Sequence, residues 1–244
     1  MNGSMMTVVK AFQLRLLVLI TGFAAWGIPS VSADVTISRS NHGWELANEQ
    51  VRLTLGRSAK GVQVDSLRLT GGEEWAVSGS PLTPWLQGTD EQYRYFEEAT
   101  RDVERGGKEL ALKFKADAGG VLTLLLRLYP KGAVIEFAAT LENQGKNTLP
   151  LLSRIDPLRL TLKSSADGLK PYAPVRGQHG FQTAGDLSNE RAFSDWLVLG
   201  NATSGEAALI GGELGGGILG WKIDTQNLSG RLLLHGPRNR AGFL

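Results

Sequence analysis

From Val35 to Leu234 the chain keeps returning to short stretches in which apolar and polar residues alternate with period two. Val35-Thr36-Ile37-Ser38, Trp44-Glu45-Leu46, Val51-Arg52-Leu53-Thr54-Leu55, Val62-Gln63-Val64 and Leu67-Arg68-Leu69 open the series. Leu110 to Lys115, Leu122-Thr123-Leu124, Val134 to Phe137 and Leu158 to Leu162 continue it. Leu197-Val198-Leu199 and Ala208-Leu209-Ile210 read as buried strands without alternation, and Ile218 to Ile223 and Leu232 to Leu234 close it. Successive strand residues point to opposite faces, so each stretch buries one face and wets the other. Gly71-Gly72, Gly106-Gly107, Gly119-Gly120, Pro130-Lys131-Gly132 and Asn143-Gln144-Gly145 punctuate the strands as turns. Short strands at short spacing predict an all-β sandwich or barrel and argue against βαβ units. A sequence repeat that would indicate propeller blades is missing. Only Asp90 to Arg105, rich in Glu and Arg, allows a helix, and it reads equally as a strand and a loop.

The first 33 residues follow a different logic. Lys10 and Arg15 precede any acid, the apolar run Leu16–Ile28 follows, and Pro29 leads into Val31-Ser32-Ala33. This order predicts a cleavable export signal, cut after Ala33, and a secreted or periplasmic product. The domain boundaries expected are therefore 1–33 for the leader and 34–244 for one β domain. Cleavage leaves 211 residues and removes two of the 26 basic side chains, so 24 cations balance 24 anions. A neutral domain lacks the electrostatic footprint of a nucleic-acid or anionic-lipid binder, and no later run is long enough to span a membrane. Neutral carbohydrate is the partner class this balance suits. Cysteine is absent, so stability rests on the core, and a chain this long buries roughly 70% of its unfolded surface without a staple.

Motifs that carry chemistry are few. Gly215 to Gly220 spells G-x-G-x-x-G, but another strand follows it where a dinucleotide site needs a helix, so it reads as a glycine-rich hairpin turn and no cofactor is expected. His42, His179 and His235 are far apart, and neither a metal-ligand spacing nor a G-x-S-x-G elbow occurs. Glycoside hydrolysis needs two carboxylates about 5–10 Å apart across the scissile bond. The adjacent pairs Glu73–Glu74 and Glu97–Glu98 would diverge on a strand and read as solvated surface. No complete active site is legible, and whether the chain is itself an enzyme stays open.

Candidate ligand contacts come from aromatic residues and from one irregular segment. Trp44 and Trp221 sit within alternating strands and are expected in the core. Trp85 and Trp196 sit where a loop meets a strand, where an indole can stack on the apolar face of a sugar. From Ser164 to Ser194 the rhythm breaks, and long loops on a rigid scaffold often carry function. The candidate binding set is therefore Trp196 with Asp195 as a hydroxyl acceptor, aided by Arg176 or His179, and Trp85. Packing in the core is the competing and preferred reading of either tryptophan.

Phe193-Ser194-Asp195-Trp196-Leu197-Val198-Leu199, then Glu206 to Glu213, then Gly220-Trp221, resemble the end of the N-terminal β-supersandwich domain of α-galactosidase-type glycoside hydrolases. Trp44 to Asn48 before Val51 to Thr54 resembles the first strand pair of such domains, while Leu214 stands where the family has an aromatic residue. The resemblance implies an antiparallel, galactose-mutarotase-like β-supersandwich. It also implies that the catalytic carboxylates belong to a following (β/α)₈ barrel, absent here, so that this chain is a domain truncated before that barrel. Lys115-Ala116-Asp117 matches the barrel's Lys-x-Asp nucleophile motif only by letters. The implied role is a non-catalytic, carbohydrate-contacting accessory domain of an exported hydrolase. A stand-alone carbohydrate-binding module is the second reading. An aldose epimerase is the third, and it would need an acid–base pair such as Glu213 with His179 or His235.

Overall fold

The computed structural model describes residues 34–58, 61–82, 92–145 and 204–213, together with the strands named below and Lys163. For several of the strands only the backbone is described. In chain order they are β1 (Leu14–Thr21), β2 (Thr36–Ser40), β3 (Gly43–Ala47), β4 (Val51–Ser58), β5 (Gly61–Leu69), β6 (Ser80–Pro81) and β7 (Trp85–Gln87). Next come β8 (Arg94–Val103), β9 (Gly107–Lys115), β10 (Gly120–Leu128), β11 (Val134–Asn143), β12 (Arg154–Asp156) and β13 (Arg159–Thr161). The rest are β14 (Leu169–Pro174), β15 (Phe181–Thr183), β16 (Trp196–Asn201), β17 (Ala207–Glu213), β18 (Ile218–Lys222) and β19 (Ser229–His235).

A nine-stranded sheet runs β15-β14-β16-β17-β1-β11-β10-β9-β8, and a five-stranded sheet runs β2-β3-β4-β5-β6. Two small sheets, β12-β7 and β13-β19-β18, complete the set, and every strand pair among the described residues is antiparallel. The all-β, antiparallel expectation holds, with the predicted strands in place to within a few residues. Asp90 to Arg105 resolves as the second of its alternatives: β8, then one 3₁₀ turn at Glu104–Gly106.

Alternation explains the packing. On β9, Leu110, Leu112 and Phe114 are fully buried while Glu109, Ala111 and Lys113 take the other face. Leu122 to Leu128 on β10 and Ile135 and Phe137 on β11 extend the buried face. It meets Leu46, Leu53, Leu55, Val62, Val64 and Leu67 of the five-stranded sheet in one continuous core, the sandwich expected from two half-wet sheets. Trp44 is in this core as expected; it meets Tyr95 edge-on at 5.5 Å, and Tyr95 meets Phe114 at 6.1 Å. Only the backbone of Trp221 is described.

Side-chain clamps join the two sheets at their ends. Asn48, in the β3–β4 turn, donates from Nδ2 to the carbonyls of Tyr129 and Gly132 at 2.8 and 2.9 Å. Its Oδ1 accepts from the Gln50 and Val51 amides, both at 2.8 Å. At Gly119 (φ +97°) the β9–β10 turn passes so close to the segment after β11 that a Cβ there would stand 2.5 Å from Gly145 Cα. Only glycine meets both the left-handed backbone and the contact.

Three expectations need correction. The strand after the glycine run, β18, pairs with β19 in another sheet and not with β17, so Gly215–Gly217 do not close a hairpin between β17 and β18; the run itself lies outside the described residues. The irregular segment Ser164–Ser194 contains β14 and β15, which pair with each other, and β14 also pairs with β16. Its prolines hid this, because β14 carries Pro171 and Pro174 within its own length. Finally, at the start of β17 only Ala208 is buried, while Ala207 and Leu209 are half-buried.

Candidate functional site

The face of β8–β11 turned away from the core carries a row of alternating charge. Arg101 on β8 lies opposite Glu109 on β9, Glu109 opposite Arg127 on β10, and Arg127 opposite Glu136 on β11. Directly opposed residues on a sheet face stand within side-chain reach, and opposite charges there attract. Arg101 donates from Nε to Glu109 Oε1 at 2.6 Å and from Nη2 to Oε2 at 3.2 Å. Arg127 donates from Nε to Glu109 Oε2 at 2.6 Å and stands 3.7 Å from Glu136, which also accepts the Tyr129 hydroxyl at 3.2 Å.

Glu109 is 2% exposed although it faces away from the core, because the two guanidiniums cover it. Burial alone would raise its pKa, but the hydrogen bonds and charges of Arg101 and Arg127 overcome that and hold it below the ordinary carboxylate value. Arg101 is held above its ordinary value by the same carboxylate. Burial, then the nearby Glu136 charge, raises the Tyr129 phenol. A carboxylate saturated by two bidentate-capable cations is a fixed anion and a poor proton donor. Its chemical use is to position Arg101, whose side chain is 64% exposed.

Beside Arg101 a shallow cavity of about 220 Å³ is lined by Ile37, Thr100, Arg101, Asp102 and Lys108. Lys108 donates to Asp102 at 2.8 Å. The lining carries donors and acceptors together, with Lys108 and Asp102 paired to each other.

A second buried acid serves a different purpose. Glu206, just before β17, accepts the Trp75 indole N–H at 2.8 Å and the Glu73 amide at 3.2 Å. It ties the start of β17 to the loop after β5. A Cβ at Gly72 would come within 2.3 Å of its Oε1, so a side chain there would displace the carboxylate from these partners. Glu74, read from sequence as solvated, instead accepts from Ser66 Oγ and from the Leu67 and Ala76 amides, fixing that loop. Glu97 and Glu98 diverge as expected, Glu97 pairing with Lys113 at the surface, but Glu98 is not solvated: its side chain is 14% exposed and pairs with Arg39. Asp117 of the Lys-x-Asp look-alike is 89% exposed and 3.5 Å from Arg94 in the β9–β10 turn. Among the described residues no group of three His, Cys, Asp or Glu side chains is placed to hold a metal ion.

The sequence-predicted contacts fall largely outside this region. Asp195, Arg176 and His179 lie outside the described residues, and only the backbone of Trp196 and Trp85 is described. Trp196 begins β16 opposite Gly211, while Trp85 begins β7 in the two-stranded sheet, opposite Asp156. The backbone pairing does not bring the two tryptophans together. Because β14 and β16 are antiparallel, Pro174 at the end of β14 and Trp196 at the start of β16 lie at the same end of the sheet. The Arg101–Glu109–Arg127 row was missed because no local motif announces it; only the strand register unites residues spread over 36 positions from Arg101 to Glu136. No family model matches the chain, and no curated protein matches it.

Proposed function

We propose that the chain is the non-catalytic, carbohydrate-contacting N-terminal domain of an exported α-galactosidase-like glycoside hydrolase, a galactose-mutarotase-like supersandwich that packs against a catalytic barrel. The observation that carries the reading is the strand–turn–strand layout of its motif residues. Trp196–Asn201 and Ala207–Glu213 pair antiparallel as β16 and β17, and Trp44 and Val51 lie in the corresponding opening pair, β3 and β4. The acids support an accessory role. Glu109 and Glu206 are engaged in buried structural contacts, and Glu97 and Glu98 point to separate partners.

The reading is tested with an aryl α-galactoside. The purified chain should show no hydrolysis above the buffer rate, because no opposed carboxylate pair is legible in it. Turnover that a single Asp or Glu substitution abolishes would overturn the accessory role.

A further inference from the structure

We propose that β8 is the interface of a twofold dimer, in which the outer edge of the nine-stranded sheet pairs antiparallel with β8 of a second copy, centred on Ala99. The pairing requires neither leader cleavage nor sugar contact.

β8 ends the nine-stranded sheet, and among the described residues β9 is the one strand it pairs with. Its outer side therefore offers backbone donors and acceptors that a further strand can take. Glu97 and Ala99 to Asp102 are exposed, as is Phe96 at 48%, so this edge stands open to solvent.

Strand register decides what can pair there. Across a twofold axis normal to the sheet, opposed residues must share a face, so one residue meets its own copy and the rest pair symmetrically about it. The bulge between Tyr95 and Glu97 leaves the stretch from Glu97 onward as regular strand. Centring on Glu97, Glu98, Arg101 or Asp102 sets like charges on the axis, and centring on Thr100 sets Glu98 against the partner's Asp102. Centring on Ala99 does neither. Glu97 then meets the partner's Arg101, Arg101 meets the partner's Glu97, and Glu98 meets the partner's Thr100. Charged residues on an edge ordinarily discourage pairing with another chain; here they discourage every one of these registers except this one.

The same register continues the charge row already described. Glu97, Ala99 and Arg101 lie opposite Lys113, Ala111 and Glu109 of β9, on the face turned away from the core. Within one copy the row ends at Arg101, on the last strand. In the dimer Glu136, Arg127, Glu109 and Arg101 are followed by the partner's Glu97 and then the partner's Lys113, each opposite in sign to the next. Arg101 is already fixed by Glu109, and Glu97 by Lys113 at 2.8 Å, so the pairing orders few new side chains.

The test is sedimentation of the purified full chain over a dilution series. The wild type should dimerise with concentration, less so in high salt. Glu97→Lys sets a lysine against the partner's Arg101 at both ends and should raise the dimer dissociation constant about tenfold. A second variant uses the absence of native cysteine. Ala99→Cys brings two thiols together on the axis, at a separation that a disulfide can span. It should oxidise to a linked dimer much faster than Asp117→Cys, placed on an exposed turn. A wild type that stays monomeric at every concentration, or a dimer that Glu97→Lys leaves as tight, would overturn the proposal. Equal cross-linking at the two cysteine positions would overturn it as well, and that comparison decides the matter if Glu97→Lys fails to fold.

Discussion

Glu109 sits where desolvation and ion pairing oppose each other, and ion pairing prevails. Its folded pKa lies below its unfolded one, near 4.3 for an ordinary glutamate. The stabilisation it contributes is therefore present above the unfolded pKa and is lost as pH falls through the folded value. Glu109→Gln should cost about 2–3 kcal/mol at pH 7, less than the roughly 3–5 kcal/mol of a fully buried pair, since Arg101 is largely solvated. In urea melts the gap between wild type and variant should narrow steadily below about pH 4. A gap that stays constant with pH would show that the loss is one of packing. At Glu206 the effect is local: Glu206→Gln offers an amide N–H where two donors already converge. It should cost about 1–3 kcal/mol and alter the fluorescence of buried Trp75.

The same reasoning applies to the turns and strands. Asn48 uses both donors and its acceptor on four backbone groups that belong to two different hairpins. Asn48→Asp keeps the acceptor but turns a carboxylate toward the Tyr129 and Gly132 carbonyls, so it should destabilise more than Asn48→Ala. Thermal melts at pH 7 would show the order, and Ala should lose about 2–4 kcal/mol. The strands themselves were legible because each buries one face, and period-two alternation records that directly. β14 was not, because prolines and glycines in and around it mimic a loop. The charged row was half legible. Folding the chain back at Gly106, Gly119 and Lys131, all within turns read from sequence, brings Arg101, Glu109, Arg127 and Glu136 into one line. What the residues alone do not supply is the register that tells a solvated arginine from one covering a buried acid.

Across the whole molecule, one core joins a five-stranded sheet to part of a nine-stranded one, and cysteine contributes nothing to its stability. Far-ultraviolet circular dichroism should be strand-dominated, and reductant should leave the melting temperature unchanged; a helical spectrum would contradict the architecture. The functional reading turns on whether this sandwich meets sugar, and where. The antiparallel β14–β16 pair sets Trp196 at one end of the larger sheet. The most direct measurement is a raffinose titration followed by the tryptophan indole resonances of the 34–244 chain. The account predicts saturable shifts with a dissociation constant of about 1 mM, worth about 4 kcal/mol, lost in Trp196→Ala while its melting temperature holds. Unmoved resonances, or a Trp196→Ala chain that loses the about 3–5 kcal/mol of a core tryptophan, would contradict it.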